Sequence, residues 1–249
     1  MKEKVEINKG GAQIGLEELR RKLNQFTIGT VYNLSERSHL KLNGQVYIPQ
    51  GIKLFGIGER PLSFLQFQME NLENYFALGG RYEYGDQYPF SDNPPLRSLV
   101  KRVGTETNIV NVPIKIGGEL MKLYLSVLPQ LCDQGEDPRT YEQTVHIDAL
   151  MLHYMHERIN TFGRYIADAK LKAHPELVNY TTKPDEMIKI LKDERRKNEV
   201  VGFAKQWALN FQVKTEPVVA IINGIIEMTM KVEVAYIQKL DARTNLSNT

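Results

Sequence analysis

At 249 residues the chain is long enough for one large domain or two small ones. Its 42% apolar and 25% charged residues are the proportions of a folded protein, not a disordered one. A net charge of +2 gives no argument for a nucleic-acid or membrane surface, while leaving room for a few local cations to bind a small anion.

The polar start, Met1 to Gln13, lacks the apolar run of a signal peptide. Residues 1–14 read as a flexible N-terminal segment. No stretch approaches the roughly 20 apolar residues of a membrane-spanning helix. A single cysteine, Cys132, allows no disulfide within the chain and suits a reducing compartment; it reads as a small core residue. The expected location is cytoplasmic, with secretion after signal cleavage as the alternative.

Helical periodicity dominates. The spacing predicts a first helix over Gly15–Ser38, with Leu16, Leu19, Leu23, Phe26 and Val31 as its stripe. A loop with Pro49, Gly51 and Gly56 leads to a second helix over Leu62–Leu78, stopped by Gly79-Gly80. Tyr82 to Pro95 reads as irregular. Ile109–Ile116 alternates like a short strand, and Glu119–Leu131 like a helix. A long helix is expected over Thr144–Lys172, broken by His174-Pro175. Another is expected over Pro184–Phe211, and a last one from Pro217 to Leu240. No repeat or linker interrupts the pattern, so the expectation is an all-α, single-domain multi-helix bundle over residues 1–249.

Charges interrupt several apolar stripes. Arg20 falls among Leu16, Leu23 and Thr27, and Arg158 among Met151, Met155 and Phe162. Lys170 follows Gly163 and Ile166. Thr229 and Glu233, one turn apart, share a face with Ile222, Ile226, Tyr236 and Leu240. A core-facing charge is costly unless it is paired. Each of these residues taken singly also fits a side chain that snorkels to water or simply packs. Together, three cations and a carboxyl from three helices suggest an internal pocket for a small dianion.

Several segments in order carry a family likeness. They are Glu36-Arg37-Ser38-His39, Phe64-Leu65 with Met69-Glu70-Asn71, Arg81-Tyr82-Glu83 with Asp86 and Pro89-Phe90, Phe162 to Lys170, and Thr229 to Val234 with Tyr236. On these the chain resembles the chorismate mutases of the fungal-and-plant type from about Leu16 to Leu240. The resemblance implies a Claisen rearrangement of chorismate to prephenate, with no metal, cofactor or covalent intermediate. It also implies a homodimer and a small dicarboxylate substrate, while the charge balance speaks against nucleic acid and a membrane surface. By position, Arg20 and Arg158 would clamp the carboxylates. Lys170 and a protonated Glu233 would face the ether oxygen where charge grows, with Thr229 beside them.

Three departures stand out. The family's carboxylate-binding Arg and ether-binding Lys are eleven residues apart, about 20° around a helix; Arg158 and Lys170 are twelve apart, about 120° in a regular α-helix. A π-bulge near Asn160-Thr161 would restore the shared face. Asp193 matches the family's Asn or Asp, but Lys197 stands where a Glu accepts from the substrate hydroxyl, and a charged lysine accepts nothing. Glu194 could reach that face in its place; alternatively Arg195, Arg196 and Lys197 are a solvated charge run. Finally, the regulatory Arg pair reads Gly80-Arg81, and the loop before the long helix reads Tyr141-Glu142-Gln143-Thr144 without the family's Gly-Ser. Feedback by tyrosine or tryptophan is therefore not expected. A catalytically silent binding protein on the same scaffold is the alternative to an enzyme.

Overall fold

The computed structural model describes residues 15–56, 60–83, 86–91, 97–101, 109–110 and 114–247. The N-terminal segment 1–14 lies outside them. Eight α-helices are present among the described residues: α1 (Leu16–Ser38), α2 (Phe64–Leu78), α3 (Gly117–Leu131), α4 (Tyr141–His156), α5 (Phe162–Ala173), α6 (Pro184–Leu191), α7 (Glu194–Asn210) and α8 (Thr215–Ser247). A π-helical turn, Glu157–Thr161, joins α4 to α5 without a break. No helix among the described residues is long and apolar enough to cross a membrane.

Local chemistry sets the helix ends. Ser63 accepts from the Gln66 backbone N–H while the Gln66 side chain accepts from the Ser63 N–H, a reciprocal cap that starts α2. Gly80 follows α2 at φ 80°, a conformation that glycine adopts at little cost. Pro184 opens α6 at a position where a missing N–H costs nothing.

α8 is the central element and packs against α3, α5 and α7, while α1 lies across α4 and α7. Val31 and Leu34 of α1 meet Met151, Leu152 and Met155 of α4 and Ile221, Ile222 and Ile225 of α8 in one apolar cluster. A second cluster joins Ala167, Met187 and Leu191 to Tyr236 and Ile237. A Cβ added at Gly163 would stand 3.0 Å from Val232 and 3.5 Å from Thr229, so this glycine lets α5 approach α8 closely.

Within the core, Arg37 and Asp148 form an ion pair at 2.9 Å with both side chains fully buried. Tyr124 and Tyr47 also donate to Asp148, and Arg37 donates to the Lys41 and Leu42 carbonyls. Burial works against the Arg37 charge, but Asp148 and the tyrosines more than offset it, and its pKa lies above the ordinary arginine value. The Glu36–His39 segment is thus a structural anchor. Cys132 is buried beside it, as a core residue.

Two expectations need correction, the strand over Ile109–Ile116 and the single helix over Pro184–Phe211. No strand forms among the described residues of 109–116: Ile109 and Ile116 are buried as loop residues against helices, and their alternation reflects that burial. Residues 111–113 lie outside the described set. The helix expected over Pro184–Phe211 is two helices, because Lys192 turns to extended backbone and Asp193 caps a new start. Of the irregular segment, residues 86–91 are fixed by buried Glu73, which accepts from the Phe90 and Ser91 backbone N–H groups.

Candidate functional site

Between α1, the π turn, α5, α7 and α8 lies a cavity of about 180 Å³. Its apolar lining comes from Leu19, Leu23, Ile166, Leu191, Val200 and Ile226. Its polar lining comprises Arg20, Asn24, Thr27, Arg158, Lys170, Asp193, Arg196, Lys197, Thr229 and Glu233. All the residues singled out from the sequence are therefore brought together except Glu194. As the first residue of α7, Glu194 turns outward, is 57% exposed and pairs with Lys192.

Arg158 and Lys170 face the same cavity although twelve residues separate them. The five-residue π turn, which contains Arg158, absorbs the extra residue and restores the register of α5. Asn160 in that turn donates to the Ile114 carbonyl at 3.0 Å, which gives the bulge a tertiary support.

Arg158 is only 4% exposed. Its Nη1 donates to Thr229 Oγ1 at a long 3.5 Å, and its Nε has no partner. No carboxylate among the described residues pairs with it. Burial first, and Arg196 second, lower its pKa to about 10, so it stays charged at neutral pH. Thr229 spends its own proton on the Ile225 carbonyl at 2.7 Å, which leaves its oxygen as an acceptor for Arg158.

Lys170 donates to Glu233 Oε2 at 2.7 Å and to the Leu191 carbonyl at 3.1 Å. Burial raises the Glu233 pKa and Lys170 opposes that rise; the net shift is upward. Arg20 stands at the rim, 38% exposed, with Glu17 at 2.5 Å. Asp193 accepts from the Arg196 backbone N–H at 2.9 Å and so fixes the start of α7 inside the cavity wall.

Lys197 lines the cavity half-buried, and its ammonium makes no hydrogen bond or ion pair among the described residues. The basic run is thus divided: Arg195 is solvated, at 78% exposed, while Arg196 and Lys197 turn inward. Arg196 lies four residues before Val200 on the same stripe, but within the run Arg195–Lys197 its sequence reads equally as a solvated charge.

Chemically, the site is a pocket with one buried guanidinium that pairs with no carboxylate among the described residues, two further guanidiniums toward its mouth, and the Lys170–Glu233 pair in its wall. Among the described residues, no group of three or more His, Cys, Asp or Glu is placed to hold a metal.

No protein-family model matches the chain. A chorismate mutase of Schizosaccharomyces pombe is 28% identical over 90% of this chain and 96% of its own length. A solved chorismate mutase of Candida albicans, in complex with L-tryptophan, shares the fold at a TM-score of 0.81 and 23% identity, covering 91% of each chain. The chloroplast chorismate mutase of Zea mays shares it at 0.78 and 21%, over 92% of this chain and 96% of its own.

Proposed function

We infer, for a chain that resembles the eukaryotic chorismate mutases in sequence and in all-helical fold, that it is an enzyme of this kind and rearranges chorismate to prephenate. The observation that carries this reading is Arg158: a buried guanidinium, facing a cavity, with no acid partner among the described residues. Such a charge is costly unless an anion from outside completes it. Arg20 is placed to meet a second carboxylate. The Lys170–Glu233 pair supplies donors for an ether oxygen on which negative charge develops. Holding a flexible dicarboxylate folded is the rest of the work.

The cavity assembles within residues 1–249 read as one domain, and we take the working form to be a cytoplasmic homodimer. Feedback by tyrosine or tryptophan is not expected. Arg81 is already engaged by Glu157 at 2.7 Å and lies over the Phe76 ring, and Tyr141–Thr144 form the first turn of α4. Millimolar tryptophan or tyrosine should leave the rate unchanged.

Lys197 favours a second reading, a binding protein without turnover, because it places a donor where a hydroxyl would need an acceptor. The two are separated by incubating chorismate with purified protein and following its loss and the appearance of prephenate. Turnover that disappears in Arg158→Gln supports the enzyme. Calorimetric binding of chorismate without turnover supports the silent protein.

A further inference from the structure

Arg196 belongs to no role assigned above. It lies in the first turn of α7 and lines the same cavity as Arg158 and Arg20. Its guanidinium is held in place: Nη2 donates to Asn24 Oδ1 of α1 at 3.2 Å, and Nη1 to Glu199 Oε2 at 3.1 Å. It also lines a second, polar depression of about 330 Å³, which shares Arg20 and Asn24 with the inner cavity. Arg196 therefore stands where the outer depression meets the inner one.

Arg196 also acts on Arg158 across the cavity. After burial itself, it is the largest influence lowering the Arg158 pKa. Two guanidiniums face one cavity with no carboxylate paired to Arg158 among the described residues. An anion seated between them would turn that repulsion into two attractions.

We propose that Arg196 is a third substrate-binding guanidinium, which closes with Arg158 on a carboxylate of a dicarboxylate ligand, and that Asn24 is its positioning residue. This rests on the reading of the cavity as a dicarboxylate site. The carboxylates keep their charge through a Claisen rearrangement, so Arg196 binds ground state and transition state alike. Its loss raises KM and leaves kcat nearly unchanged.

The test uses isophthalate, an unreactive dicarboxylate, titrated calorimetrically into the unmodified protein, Arg196→Gln and Arg195→Gln. Both variants remove one positive charge from the same helical turn, but Arg195 is outside the inner cavity. Arg196→Gln should weaken binding about tenfold and Arg195→Gln less than about twofold. Equal weakening in both would reduce the effect to general electrostatics and overturn the proposal, as would unchanged affinity in Arg196→Gln. If Arg196→Gln fails to fold, Asn24→Ala decides, since it keeps every charge and removes one of the two contacts that hold the guanidinium, leaving Glu199. Binding about threefold weaker is expected, and unchanged binding overturns the assignment. An unmodified protein that does not bind isophthalate would sink the dicarboxylate reading itself, an outcome distinct from both.

Discussion

The Arg158 guanidinium reaches the Thr229 hydroxyl at 3.5 Å and meets no carboxylate among the described residues. A buried cation left in this state burdens the free protein. Arg158→Met, of similar length and apolar, should therefore raise stability by about 1–3 kcal/mol while activity falls at least about a hundredfold. Thermal unfolding and chorismate turnover, measured on the same preparation, check both halves. A variant that is less stable and still active would mean that Arg158 is structural.

Glu233 is buried against Lys170, and burial raises its pKa despite that neighbour. Only the protonated carboxyl can donate to an ether oxygen. Activity should therefore be highest on the acidic side and fall as pH rises through the raised Glu233 value. Glu233→Gln keeps a neutral donor at every pH and should flatten the profile while retaining activity within about tenfold. A profile equally sloped in both proteins would remove Glu233 from the reaction.

His153 and His156 are buried beside Phe90, and both have pKa values lowered to about 3. Burial is the main cause. Arg81 adds to it for both, with His153 and Arg164 acting further on His156. Because their folded values lie below the unfolded value of about 6.5, the unfolded chain binds more protons between pH 3 and 6.5. Stability should fall as pH drops through that window, by up to about 1.4 kcal/mol per pH unit for each histidine. Denaturant midpoints at several pH values check this. A His153→Leu/His156→Leu double variant should lose much of the slope.

Arg37 and Asp148 share a fully buried pair with all its neighbours satisfied. Asp148→Asn removes one charge and strands the other. It should cost about 3–5 kcal/mol in urea unfolding, with no specific effect on KM in whatever fraction remains folded.

The site was legible in the sequence wherever it lay on regular helix. Arg20, Lys170, Thr229 and Glu233 interrupt apolar stripes at helical spacing, and the structure carries all four to one cavity. Arg158 was legible with its difficulty: the twelve-residue spacing demanded a bulge, and the π turn Glu157–Thr161 supplies one. Legibility failed at Lys192-Asp193, where a capping interaction outweighed a continuous helical pattern. Glu194, in the first turn of α7, turns outward to Lys192, while Arg196, four residues before Val200, shares the face that lines the cavity. The Ile109–Ile116 alternation misled because burial against helices imitates a strand's two faces.

The most direct measurement is chorismate loss catalysed by the purified protein from about pH 5 to about pH 8, beside Lys197→Glu. Turnover by the unmodified protein that declines toward alkaline pH is the expected result. No turnover at any pH, with activity gained in Lys197→Glu, would contradict it: the cavity would then be a binding site disabled for catalysis at that one position.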